Sequence, residues 1–208
     1  MPRNSERGGP LTRARISTIA ARLFLEHGFD NVTVAQVAKE AGVSSVTVFN
    51  HFPRKEDLFL DRSTEATELL RTTVRDRAPG LTPVAALRRM TLALVDSRHP
   101  LSGADDRSVP FFRTVAASPA LLARAREIGY ELQRALAEEL GPESDLLAAF
   151  FVAGYSTIMV DTARRLIAGE PHSTLLADHR ARFEHLFAAL AAATAPAGQP
   201  RPGTPSGG

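Results

Sequence analysis

The sequence contains no cysteine. That excludes disulfides and thiolate metal sites and fits a reducing compartment, so a cytoplasmic location is expected. Strand signals are also lacking: there is no sustained period-two alternation and no Asn-Gly or Asp-Gly hairpin. No run reaches the ~20 apolar residues that span a bilayer. The most apolar segment, 146–160, includes Ser156 and Thr157 and lies between Asp145 and Asp161, so it reads as a buried helix and no membrane association is expected. Residues 1–10 are polar, with no apolar stretch that would make a secretory signal. Signatures of catalysis are missing too. Gly154-Tyr-Ser156 starts like a nucleophile elbow, but Ile158 stands where glycine is needed. There is neither G-x-G-x-x-G nor a Walker motif. The 6 histidines never fall in an H-x-x-x-H pair, and His179 and His185 lie on different helix faces. No enzyme, metal or cofactor is expected.

What is present is a chain of 208 residues, enough for one small and one larger domain. The net charge is only +2, but it is unevenly placed. Residues 1–62 carry 9 Lys/Arg against 7 Asp/Glu, and residues 63–208 carry 16 of each. The excess sits in the N-terminal part, a weak pointer to a polyanion there.

Helical periodicity recurs along the chain, and the expected fold class is all-α with about nine helices. The first runs over 12–27, with Ile16, Ala20, Leu23 and Phe24 on one face and Gly28 as a stop. Thr33 and Gln36 have capping-box spacing for a helix ending near Ala41. Gly42 supplies a tight turn, Ser44 can cap a third helix to Phe52, and Pro53 stops it. A continuous fourth helix is expected over 54–77. Others follow at 83–98, 109–117, 119–140, 143–168 and 174–193, separated by Pro79-Gly80, a loop at 99–108, Ser118-Pro119, Gly141-Pro142 and Gly169. Residues 1–10 are expected to form a disordered arm. Residues 194–208, rich in Pro and Gly, are expected to form a disordered tail.

The strongest local signal is the pair of short helices meeting across Gly42-Val43-Ser44, a helix-turn-helix over 33–52. Val37, Val43, Val48 and Phe52 are spaced to pack inward. Ser45, Val46, Thr47, Phe49, Asn50 and His51 include the outward positions. Ser and Asn suit base edges, Val and Phe suit a thymine methyl, and Thr, His and Lys55 suit phosphates. Ser and Thr near a helix start also serve simply as caps.

The run Thr33-Val-Ala-Gln-Val-Ala38, then Ala41-Gly42-Val43-Ser44, then Thr47 through Leu58 resembles the N-terminal domain of the TetR family of regulators. Leu23-Phe24 and Gly28-Phe29 fit the same pattern. The resemblance covers about residues 11–62. It implies an all-helical dimer that binds double-stranded operator DNA, with a variable C-terminal ligand domain, usually a repressor released by ligand. Position by position it implies phosphate contacts at Thr33, Thr47, His51 and Lys55. Ser45, Val46, Phe49 and Asn50 match positions that commonly face bases, with Ser44 at the start of the same helix. Phe49 keeps the ring often found there and lacks its hydroxyl. The domains expected are 11–54 for DNA binding and 55–193 for ligand binding and dimerisation.

Past residue 62 the chain is less legible. The helical segment 146–160 is apolar almost all round, which implies burial on several sides. Its small residues Ala148, Ala149, Ala153 and Gly154 suit close approach by another helix. The last helix places Leu175, His179, Arg182, Phe183, Leu186 and Leu190 at heptad-like spacing. Together the two helices are expected to form a four-helix bundle across a twofold axis; the alternative is packing within one chain. A pocket for an unknown, mostly apolar effector is expected among the helices at 83–98, 109–117, 119–140 and 145–168. Its candidate walls are Met90, Leu94, Phe111, Phe112, Phe150, Phe151, Tyr155 and Met159, with Arg98, His99 and Arg113 at its edge. The same residues would also serve as ordinary core and surface.

Overall fold

The computed structural model describes residues 5–194. Among these the protein is all-helical, with nine α-helices, three 3-10 turns and no strand. The helices are α1 (Ser5–His27), α2 (Val34–Glu40), α3 (Ser45–His51), α4 (Ser63–Arg75), α5 (Pro83–Asp96), α6 (Val109–Ala117), α7 (Pro119–Leu140), α8 (Asp145–Ile167) and α9 (His172–Thr194). Their ends follow the capping chemistry of the sequence. Thr33 and Gln36 form a reciprocal capping box, and the hydroxyls of Ser44, Thr82 and Ser118 accept from Thr47, Ala85 and Leu121.

Two buried clusters organise the molecule. The head core joins Ile16, Leu23, Phe24 and Phe29 to Val37, Val48 and Phe52. Leu58 and Phe59 belong to it as well, beyond the boundary expected after residue 54. So does Leu121 of α7, with Phe111 and Val115 of α6 packed alongside. The body core joins Leu70, Leu87, Leu92 and Leu136 to Phe151, Ile158, Phe183 and Phe187.

The structure differs from the sequence reading in four places. Helix α1 starts at Ser5, so residues 5–10 of the expected arm are helical; extending an existing helix needs no new nucleus. Residues 1–4 and 195–208, the rest of the expected arm and nearly all of the tail, lie outside the described residues, and Thr194 ends α9. The expected helix over 54–77 is broken. A 3-10 turn covers Glu56–Leu58, and α4 begins only at Ser63. Tertiary contacts impose the break: Leu58 and Phe59 turn into the head core, the Ser17 hydroxyl bonds the Asp61 carboxylate, and Arg13 reaches the Asp61 carbonyl at 3.5 Å. Finally, α8 is not buried all round. Ala148, Phe151, Val152, Ile158, Thr162 and Leu166 face inward, while Leu146, Phe150 and Val160 face outward. By length and composition alone α8 could cross a membrane, but those six inward residues pack into the body.

Candidate nucleic-acid interface

Helix α3 is seven residues long, about 10 Å at 1.5 Å per residue, a length the major groove accommodates. Val48 seats it in the head core, and Phe52 follows it inward. Spacing by three and four then puts Val46, Phe49 and Asn50 on one outward face, with Val46 69 % and Phe49 49 % exposed. Two large apolar side chains left in solvent beside an amide form a surface suited to base edges and methyl groups. Ser45, Thr47 and His51 flank that face, partly exposed.

The candidate phosphate contacts are occupied in different ways. The Thr33 hydroxyl lies 2.9 Å from Gln36 Oε1 within the capping box. The Ser44 and Thr47 hydroxyls lie 2.9 Å apart and share one hydrogen bond. The His51 carbonyl accepts from Arg13 at 2.6 Å. Lys55 is engaged within the protein: its ammonium donates to the Phe29 carbonyl at 2.7 Å and sits 4.2 Å from the centre of the Phe29 ring. Burial lowers its pKa from the ordinary lysine value, against the opposing pull of Asp30 and Glu56. In this conformation it ties the turn after α3 to the corner after α1.

Sequence reasoning missed Arg13. Its guanidinium lies 4.0 Å from the centre of the Phe52 ring and holds the C-terminus of α3. No motif marks it, because its partners are distant in the chain. The joint between head and body was missed as well. Arg124 of α7 donates to Asp57 at 2.8 Å and to Glu131 at 2.6 Å, and Arg54 pairs with Glu127. Glu131 first and Asp57 with it raise the Arg124 pKa further above its already high ordinary value, against the opposing effect of burial. The Ser118 hydroxyl bonds Asp30 at 3.0 Å, and Phe111 stacks on Phe59 with centroids 4.8 Å apart.

The candidate pocket residues do not gather around one cavity. Phe111 belongs with the head, with Phe112 edge-on against it. Phe151 and Tyr155 sit in or against the body core. Phe150 is 58 % exposed on the outer face of α8, because the inward face of that helix is taken by its neighbours Phe151 and Val152. Arg98 and Arg113 are exposed, and His99 caps the turn after it and faces Glu65. Two open grooves, of about 480 and 340 Å³, lie along α4 and α5; of the candidate walls only Met90 lines either. Leu94 is half-buried and Met159 packs against Gly103.

The proposed seam on α9 also changes. Leu175, His179, Phe183 and Leu190 are buried within their own chain, Leu186 packs against Gly154, and Arg182 pairs with Asp161. A stripe at helical spacing reads the same whether it faces its own body or a second copy. On α8, Ala149 is half-buried and Ala153 is exposed.

An all-helical chain that presents the second helix of a helix-turn-helix, apolar and amide groups outward, has the architecture of a DNA-binding transcriptional regulator. Residues 16–61 match the family described as bacterial regulatory proteins, tetR family, so the head is a TetR-type DNA-binding domain. It is 29 % identical over 157 residues to the HTH-type transcriptional regulator TcmR of Streptomyces glaucescens, covering 71 % of this chain and 69 % of that one. The fold matches the crystal structure of a TetR-family regulator of Streptomyces coelicolor with TM-score 0.56 and 23 % identity, covering 91 % of this chain and 99 % of that one. It also matches Thermus thermophilus FadR, a TetR-family transcriptional repressor in complex with lauroyl-CoA. There the TM-score is 0.54 and the identity 25 %, covering 92 % of this chain and 100 % of that one.

Proposed function

We propose that the protein is a cytoplasmic homodimeric repressor that holds a near-palindromic operator and releases it when a small, mostly apolar molecule enters the C-terminal domain. The observation that carries this reading is the outward face of α3, where Val46, Phe49 and Asn50 stand exposed on a helix anchored by Val48. Val46 and Phe49 meet methyl groups and Asn50 reads an adenine, while Thr33, Thr47, His51 and Lys55 position the backbone, Lys55 by exchanging the Phe29 carbonyl for a phosphate. A second copy covers the apolar outer face of α8 formed by Leu146, Phe150, Ala153 and Val160, which doubles a short half-site. The bound lauroyl-CoA of FadR supports an apolar effector for a body of this fold.

Selection of duplexes from a random pool tests the reading. The expected product has half-sites about one helical turn apart, or a multiple of it. Asn50→Ala relaxes preference at one base position, at a cost of roughly 1–3 kcal/mol. A selected site without twofold symmetry would overturn the dimeric reading, and no enrichment would overturn operator binding. The scatter of the candidate walls favours a second reading, a regulator whose body takes no small molecule. Absence of thermal stabilisation by any member of a broad apolar compound library would favour it.

A further inference from the structure

The segment between α5 and α6 is short, polar and irregular, yet residues 102–105 are all buried. Side chains of α8 and α9 hold three of its backbone carbonyls. The Tyr155 hydroxyl donates to the Leu101 carbonyl at 2.8 Å, His179 Nε2 to the Ser102 carbonyl at 3.0 Å, and His172 Nε2 to the Ala104 carbonyl at 2.7 Å. A carbonyl only accepts, so each of these ring nitrogens carries its proton. His179 Nδ1 in turn accepts from the Thr162 hydroxyl at 2.7 Å. Beneath the segment, aromatic rings run in series. Tyr155 lies 5.8 Å from Phe151 and 4.8 Å from Phe183, and Phe183 lies 4.9 Å from His179.

The covering residues are small. Ser102, Gly103 and Ala104 bring little apolar surface, so lifting them from the rings forfeits little hydrophobic burial. What is forfeited is the hydrogen bonding of three donors, His179 fully buried and Tyr155 and His172 half-buried, and a molecule that replaces the segment keeps these bonds by supplying acceptors. Gly103 makes the closed form demanding: its φ is +73°, and a Cβ there would lie 3.0 Å from Met159 Cε.

We propose that residues 101–105 occupy the effector site as an internal stand-in. The effector is a flat, largely aromatic molecule with two or more acceptor oxygens, which displaces the segment and takes over Tyr155, His179 and His172. This rests on the effector-responsive reading above and gathers three of its candidate walls: Tyr155, Phe151 and Met159 become lining only when the segment lifts.

The chain has no cysteine, so Ser102→Cys introduces a unique, buried thiol. The probe is quinizarin, an anthraquinone with two carbonyl and two phenolic oxygens. Quinizarin is expected to speed labelling of that thiol in the full-length protein by about tenfold or more. Gly103→Ala strains the closed segment and leaves every donor in place. It is expected to tighten quinizarin binding about tenfold, because the competent state becomes more populated. Adding Tyr155→Phe is expected to abolish that gain. Unchanged thiol labelling at saturating quinizarin overturns the proposal even if Gly103→Ala fails to fold. Equal affinity of wild type and a folded Gly103→Ala overturns it as well, and so does the absence of binding to both. Affinity for the selected duplex separates the two readings. If quinizarin opens the segment and operator affinity stays unchanged, the effector-responsive reading fails and the displaceable segment stands. If the operator is released while the thiol stays closed, the reverse holds.

Discussion

His179 and Lys55 show how burial redirects a polar side chain. The His179 ring is fully buried, and desolvation lowers its pKa from 6.5 to about 4, with the nearby Arg182 adding to the effect and Asp178 opposing it. The sign of the pH effect follows. Above 6.5 the ring is neutral in both the folded and unfolded states and contributes no pH dependence. As pH falls through 6.5 the unfolded chain takes up a proton that the folded one refuses. Stability is therefore lost between about 6.5 and 4, by up to about 3 kcal/mol, and this loss levels off below 4. Melting temperature against pH, with His179→Gln as the comparison, checks this: the variant is expected to lose that part of the slope. Lys55 is tested by salt. With Lys55→Ala, the dependence of log K on log salt for the selected duplex is expected to fall by about 1. An unchanged slope would leave the lysine as a tie to Phe29 alone.

Among the elements, α8 and α9 approach closely at Gly154, where an added Cβ would clash with Leu186 Cδ1. Gly154→Ala is expected to destabilise by about 1 kcal/mol, as overpacking outweighs the better helix propensity of alanine. In a Leu186→Ala background the same change is expected to stabilise by about 1 kcal/mol; denaturant titration of the four proteins reads both. The elements themselves were largely legible in the sequence, since Thr33, Ser118, Pro119, Gly141 and Gly169 mark helix ends through local backbone chemistry. The break before α4 was not, because Asp61 is held by Ser17 and Arg13 from α1, and no residue between 59 and 62 is a helix breaker. The face of α3 could be read because one buried valine fixes its rotation. Lys55 could not, because its alternative partner is a backbone carbonyl, which any residue type could have supplied. The buried loop was hidden by its composition, which is that of a solvated turn.

At the scale of the whole molecule, the outer face of α8 decides between monomer and dimer. Leu146 is 70 % exposed and Phe150 58 %, so Phe150→Glu is harmless to an isolated chain and costly at a seam. Light scattering at micromolar concentration is expected to show a dimer for the wild type and a monomer of unchanged helicity for Phe150→Glu. The joint between head and body is equally telling. Arg124 and Asp57 are both largely shielded from water, and Arg124→Ala is expected to cost about 3 kcal/mol by leaving a partly buried carboxylate without its partner, read by denaturant titration. Leu121 lies in the head core, and Ser118 reaches Asp30. The head is therefore not a detachable cassette. A chimera spliced at residue 62, joining this head to another regulator's body, would inherit a hole where Leu121 belongs and an Asp57 with no arginine to meet. A chimera that carries residues 109–127 together with the head is expected to keep both contacts, so in this protein two stretches separated in sequence act as one structural unit.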